Sequence, residues 1–235
     1  MAIRGSAEVA AHQTPPGAPA PRFLATIMTA VGRAATLTQR LLAFGRVQTL
    51  DPQAIDVNEA LQAMQGLLTT TLGGLAELAL VLDRSPAVAV VDPPQFEQAV
   101  LNLVINARDA MPAGGAVAIR TSQVEVRDAR TRAHKAARKG SFVMLEVEDT
   151  GCGIDPRDLG RIFEPFFTTK AEGEGTGLGL ALAYSIVEAH QGQLLIDSPL
   201  DAATGRGTKV TVLLPKWVES TQQSTQTDDS ESETG

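Results

Sequence analysis

From Phe23 on, apolar positions recur first at helical spacing and later in shorter runs broken by glycine and proline. From Phe23 to about Arg46, Leu24, Ile27, Val31, Ala34, Leu41 and Phe44 recur at helical spacing, and Arg33, Gln39 and Arg40 fall mostly elsewhere on the wheel. This predicts one amphipathic helix, whose stripe needs a bundle partner or the body of the domain to cover it. Asp51-Pro52 ends the segment. A short strand follows (Ile55 to Val57), then a helix opened by Asn58 and running to about Thr71, then strand-like runs near 76–82 and 87–91. Asp92-Pro93 has the chemistry of an N-cap and first helical residue, for a helix through Ala110. Beyond the turn Pro112-Ala113-Gly114-Gly115 come strand 116–126, a loop, and strand 142–148. A glycine-punctuated region (151–179) leads into a helix ending near His190, and strands near 193–197 and 208–214 close the pattern. The order predicts an α+β fold: a mixed sheet with helices on one face, an α/β sandwich.

Composition adjusts this picture at the ends. Residues 1–22 are rich in Ala, Pro and Gly and too poor in large apolar groups to order themselves; residues 219–235 hold five acids and no base. The expected division is therefore a disordered segment 1–22, a helix 23–50, one domain over 51–218 and a disordered acidic tail 219–235. With 43% apolar and 20% charged residues, the chain has enough material for a core. No apolar run approaches the ~18 residues of a membrane span, and residues 1–20 lack an apolar signal core. A lone cysteine, Cys152, allows no internal disulfide, so the expected compartment is the cytoplasm. The net charge of −7 hides a basic stretch, 127–139, with six Lys/Arg against Asp128. No aromatic residues are interleaved there for base stacking, so it reads as a solvated loop and not as a nucleic-acid surface.

Four segments carry candidate chemistry. In the helix after Asp92, Asn102 and Asn106 are i,i+4 neighbours and Asp109 extends their face; Val100, Leu101, Leu103, Val104 and Ala107 largely fill the other side. Carboxamide oxygens suit a Mg²⁺ already holding phosphate, though a pair of solvated amides has the same pattern. The strand 142–148 ends in Asp149-Thr150-Gly151-Cys152-Gly153-Ile154. There, a carboxylate beside two glycines can approach a flat ligand and accept from an exocyclic amine; an ordinary Asp-x-Gly turn looks the same. Phe163-Glu164-Pro165-Phe166-Phe167-Thr168-Thr169-Lys170 precedes Gly173, Gly175, Gly177 and Gly179. That combination predicts a lid, or a loop anchored on the core by Phe166 or Phe167. Finally, Gly175-Thr176-Gly177-Leu178-Gly179-Leu180 runs into a helix, where exposed amides favour an anion such as triphosphate. It lacks the Gly-Lys-Ser/Thr of a P-loop and the spacing of a dinucleotide fingerprint. The late Gly205-Arg206-Gly207-Thr208 offers a hydroxyl to the same pocket.

In this order the segments resemble the N, G1, F and G2 boxes of the GHKL ATPase/kinase superfamily, over about residues 50–218. Their wording resembles the catalytic domain of bacterial sensor histidine kinases, especially the nitrogen-regulation-like and hybrid kinases. The resemblance implies a Bergerat-type sandwich and bound ATP with Mg²⁺. It implies Asn106 as the metal ligand, Asp149 on adenine, and a lid at 163–175. The further ATP contacts it implies are Asn102, Asp109, Gly151, Gly153, Ile154, Phe166, Thr168, Thr169, Lys170, Gly175, Thr176, Gly177, Leu178, Gly179, Leu180 and Thr208.

One position separates branches of that superfamily by chemistry. Members that activate water or a hydroxyl use a Glu one helical turn before the metal-binding Asn, because a proton must be removed. Here the position is Asn102. An imidazole with pKa about 6.5 is already a neutral nucleophile at pH 7 and needs no such base. Asn102 thus argues for transfer to a nitrogen, as catalytic partner of Asn106, and Glu97 lies five residues away.

The accepting histidine is the missing part. Segment 35–46 resembles the second helix of a dimerisation hairpin, and residues 1–22 leave no room for the first. His12 precedes two prolines, His134 sits in the basic stretch, and His190 closes a helix in a cationic or capping role. The expected partners are a histidine-containing dimerisation domain or phosphotransfer protein and a response regulator, with a possible homodimer through helix 23–46. Three readings stand: a kinase acting on a histidine of another chain, a remnant that binds nucleotide without transfer, or a regulatory module read through its ATP-bound state.

Overall fold

The computed structural model describes residues 23, 24, 26, 50–74, 76–126, 139–171 and 175–217. Phe23, Leu24 and Thr26 are helical; the rest of the helix expected over 23–46, residues 1–22, residues 127–138 of the basic stretch, residues 172–174 of the expected lid, Val218 and the tail 219–235 lie outside the described residues.

Ten elements follow in the predicted order: β1 (Gln53–Asp56), α1 (Val57–Leu72), β2 (Ala76–Val81), β3 (Val88–Val91), α2 (Pro93–Asp109), β4 (Gly115–Val126), β5 (Gly140–Asp149), α3 (Gly179–Ala189), β6 (Gln193–Asp197) and β7 (Thr208–Pro215). Five strands form one mixed sheet in the order β2-β4-β5-β7-β6. β2 runs parallel to β4, and every other pair is antiparallel. The sheet does not absorb β1 and β3, which pair with each other as a separate two-stranded sheet. That small sheet is tied to the residues after β7 by a bond from Trp217 N–H to the Val88 carbonyl.

Alternation along the strands sends one face to the helices. Val117 and Ile119 of β4, Val143, Leu145 and Val147 of β5, Val210, Val212 and Leu214 of β7, and Leu194 and Ile196 of β6 are all buried there. The opposite face carries ion pairs instead, Arg120 with Glu148 and Lys209 with Glu146. α1 presents Leu61, Met64, Leu68 and Leu72 to the core, and α2 presents Phe96, Ala99, Val100, Leu103, Val104 and Ala107. Each fully buried leucine contributes about 1.5–3 kcal/mol, so these stripes fix both helices on the sheet.

The helix starts have local causes. Asp92 Oδ1 accepts from Gln95 N–H at 3.1 Å, and prolines fill the next two positions. α1 begins one residue before the expected Asn58, because Asp56 is the cap and accepts from Asn58 N–H. The Asn58 side chain is buried instead. Its Nδ2 donates to the carbonyls of Asp83 and Ser85, and its Oδ1 accepts from the Thr121 hydroxyl at 2.6 Å. At the other end of the domain, His190 caps α3 by a hydrogen bond to the Ile186 carbonyl at 2.8 Å. Its Nε2 accepts from Asp92 N–H at 2.9 Å, so the ring is a buried strut between α3 and α2. Of the cationic and capping roles expected from its position in the sequence, the bond to the Ile186 carbonyl fits the capping one.

Candidate functional site

The inner end of the sheet and the C-terminal half of α2 border a cleft of about 1350 Å³. Asn102 enters it because α2 buries the opposite stripe; the residue itself is only 3% exposed. Its Oδ1 lies 3.5 Å from Gln98 Nε2, while its Nδ2 is buried without a hydrogen-bond partner. Asn106, one turn later, faces the start of α3: a Cβ placed on Gly179 would lie 3.2 Å from its Oδ1. Asp109, a further turn on, receives Lys170 Nζ at 2.5 Å and Arg108 Nη2 at 2.7 Å. Burial alone would raise the Asp109 carboxyl, but hydrogen bonds from Lys170 and Arg108, with their charges, outweigh it and hold the group below its ordinary value.

Asp149 closes β5 at the other end of the cleft, 7% exposed. Burial pushes its carboxyl up and the neighbouring Glu148 charge adds to this; backbone bonds from Gly151 and Thr208 pull the other way without cancelling it. Gly151 N–H reaches Asp149 Oδ1 at 2.8 Å. The turn must be glycine here, since a Cβ on Gly151 would fall 2.6 Å from Ala110 Cβ. A hydroxyl relay joins this turn to β7: Ile154 N–H donates to Ser198 Oγ, which lies 3.1 Å from Thr208 Oγ1.

The aromatic segment crosses the cleft between these ends. Its anchor is Phe163, which packs against the core and stacks on Tyr184 with ring centroids 4.5 Å apart. Neither expected anchor serves. Phe166 is 58% exposed, and Phe167 lies under the Arg161 guanidinium at 4.4 Å. Phe166 has φ 70 and donates its N–H to the Gly177 carbonyl at 3.0 Å, so two backbone strands touch where the segment returns. Gly177 has φ 64, and any Cβ there would run into the Phe166 backbone. Gly177→Ala is therefore expected to cost about 1–3 kcal/mol. A thermal melt of the full chain should show it as a drop of several degrees, and an unchanged melt would contradict this crossing.

α3 starts at Gly179 with no side-chain cap bond and no acid in its first turn. Its first amides thus face the cleft with an uncompensated positive dipole end.

Of the site residues read from the sequence, Asn102, Asn106, Asp109, Asp149, Gly153, Ile154, Phe166, Thr168, Thr169, Lys170, Gly175, Thr176, Gly177, Gly179, Leu180 and Thr208 line this one cleft. Gly151 and Leu178 do not line it. Gly151 is buried behind Asp149, and Leu178 is 2% exposed because it packs inward to start α3. Sequence reasoning missed the apolar floor, Val147, Ile196 and Val210, and the rim carboxylates Asp155 and Asp158. The floor was recoverable: Val147 and Val210 lie two residues from Asp149 and Thr208 on the same strand faces. Among the described residues no three His, Cys, Asp or Glu side chains group as a metal site, and no helix is long and apolar enough to cross a membrane.

Fold and cleft together define an ATP-binding domain. The chain belongs to the histidine kinase-, DNA gyrase B-, and HSP90-like ATPase family, whose model matches residues 91–218. The sensor kinase CckA of Brucella abortus (strain 2308) is 40% identical over 187 residues, covering 80% of this chain and 19% of that protein. The signal transduction histidine-protein kinase AtoS of Escherichia coli (strain K12) is 33% identical over 216 residues, covering 91% of this chain and 32% of that protein. The chain thus spans a third or less of the length of these relatives. Among solved structures, full-length ShkA in complex with AMPPNP aligns with a TM-score of 0.69 at 22% identity, over 91% of this chain and 42% of that one. Histidine kinase ThkA in complex with response regulator protein TrrA aligns with a TM-score of 0.61 at 19% identity, over 90% of this chain and 57% of that one. These structural likenesses concern the fold.

Proposed function

We propose that the chain is the catalytic domain of a protein-histidine kinase in a two-component phosphorelay: it binds Mg²⁺–ATP in the cleft and transfers the γ-phosphoryl group to a histidine of another chain. The observation that carries this reading is Asn102. It is buried one turn before Asn106, at the cleft position where a general base would be needed to activate water or a hydroxyl, and it is a carboxamide. Three of the four cleft carboxylates among the described residues are engaged by other groups. Asp109 is engaged by Lys170 and Arg108, Asp149 by backbone amides, and Asp155 by Arg157 at 2.6 Å. Glu97 is exposed and outside the cleft.

The lining fits the nucleotide and its metal. The orphan Nδ2 of Asn102 is a buried donor whose unsatisfied state costs about 1–3 kcal/mol, and a phosphate oxygen would relieve it. The uncapped start of α3 favours anionic oxygens. The Asn106 oxygen suits a hard cation that already carries phosphate ligands, and no protein cage is required of such an ion. Bound Mg²⁺ would neutralise developing charge on the phosphates. Asp149 would accept from the adenine amine above the apolar floor of Val147, Ile196 and Val210. The ThkA–TrrA pair supports a response regulator as a partner; a histidine-containing dimerisation domain or phosphotransfer protein is the other partner this reading requires. His190, the one histidine among the described residues, has both ring nitrogens occupied, which speaks against it as the acceptor.

Incubation of the full chain with γ-labelled ATP tests this, alone and with a hairpin domain bearing an acceptor histidine. Acid-labile label on the hairpin with very slow phosphate release is expected. Brisk phosphate release would restore the hydrolytic branch, acid-labile label on this chain would overturn the acceptor in trans, and nucleotide binding without label anywhere would favour a binding module.

A further inference from the structure

Two cations line the cleft among the described residues, Arg108 and Lys170, and both end on one carboxylate. Lys170 Nζ reaches Asp109 Oδ2 at 2.5 Å; Arg108 reaches Oδ1 through Nη2 at 2.7 Å and Nε at 3.0 Å. Arg108 Nη1 also donates to the Thr71 carbonyl at 3.2 Å, which fixes its guanidinium between the ends of α1 and α2. Lys170 comes from 61 residues away, so the Asp109 contact is what sets the end of the aromatic segment on the last turn of α2.

An ionised carboxylate is a poor direct partner for a triphosphate, since it places like charges side by side. To serve a metal, Asp109 would have to release both cations into the cleft. Its geometry satisfies neither role and does satisfy another. The Lys170 and Asp109 side chains are 34% and 25% exposed, so the pair is loosely held compared with a lysine on phosphate.

We propose that Asp109 is a positioning residue: it holds Lys170 and Arg108 at the phosphate end of the cleft and yields Lys170 to the terminal phosphates, touching neither nucleotide nor metal. This rests on the nucleotide-cleft reading above, and it replaces the direct ATP contact expected for Asp109 from the sequence. A ligand and a counter-charge respond oppositely to neutralisation. Removing a ligand weakens binding, whereas removing a counter-charge frees the cation and strengthens it.

ATP affinity without Mg²⁺, measured by displacement of a fluorescent analogue from the full chain, separates the two. Asp109→Asn is expected to bind ATP roughly 3–10-fold tighter at low salt, with the gain shrinking as salt rises. Lys170→Met is expected to bind about 10-fold weaker, and most of the Asp109→Asn gain should vanish in the double variant. Weaker or unchanged binding by Asp109→Asn would overturn the proposal, as would a gain that survives Lys170→Met. Should Asp109→Asn not fold, the ¹⁵N resonance of the Lys170 ammonium in the wild-type chain decides: it should move on adding ATP and stay on adding adenosine. A signal unmoved by ATP would overturn the proposal. A wild type that binds no adenine nucleotide would overturn the cleft reading itself, whereas loss confined to Asp109→Asn would overturn this inference alone.

Discussion

Replacing Asn106 with alanine is expected to abolish useful Mg²⁺–ATP binding, with an affinity loss on the order of 100-fold, about 2.7 kcal/mol. The fold should survive. α2 is held by Phe96, Val100, Leu103 and Val104 on its buried stripe, and alanine is the better helix former at 106. What disappears is a neutral oxygen at the point where α2 meets the start of α3. A phosphate-bound Mg²⁺ keeps most of its shell from phosphate and water, so a single protein oxygen decides whether the ion is anchored to the chain. Titration with a fluorescent ATP analogue, with Mg²⁺ and with EDTA, checks the assignment. The loss should be large with metal and small without it; unchanged affinity with Mg²⁺ would remove Asn106 from the metal.

Asp149→Asn should reduce adenine-nucleotide affinity by about 30-fold or more, because the carboxylate accepts from Gly151 N–H and from the amine while an amide has one oxygen for the two donors. The same group gives the wild type a pH signature. Burial raises the Asp149 carboxyl above its ordinary value, so it takes up a proton at a higher pH than an exposed aspartate of pKa about 3.9. A protonated carboxyl no longer accepts as an anion. Adenine affinity is therefore expected to fall with decreasing pH earlier than ordinary aspartate titration would bring it down, and Asp149→Asn should flatten that limb. For stability the sign is opposite. A raised folded-state value stabilises the fold below the unfolded pKa, and that share is lost as pH rises through the folded value. Neutral pH thus favours the ligand at some expense to the stability of the fold. Binding isotherms between pH 4 and 8 on both proteins measure this; parallel profiles would exclude Asp149 from the adenine contact.

Much of the domain was legible in the sequence. Periodicity located the helices and strands to within a few residues, because the burial that fixes α1 and α2 follows a strict helical stripe in the sequence. Errors fell where a side chain serves two places at once. Asn58 has the chemistry of a helix cap, but its amide is consumed by the Asp83–Ser85 turn and Thr121, leaving the cap to Asp56. Phe166 and Phe167 looked like anchors, yet Phe163 is the ring that reaches the core. Three aromatics in five residues give no indication of which one points inward once the backbone takes a positive φ.

The sequence by itself determined the chemistry of the cleft: a carboxamide where a base would stand, a carboxylate at a strand end, and glycines ahead of a helix. These depend on residue type and on spacings within single elements, which local geometry preserves. Only the tertiary structure decided how those parts constrain one another. It put β1 and β3 in a sheet of their own, made His190 a strut between two helices, and set two cleft cations on Asp109. Contacts such as that of Lys170 with Asp109 join positions far apart along the chain, and no local period records them.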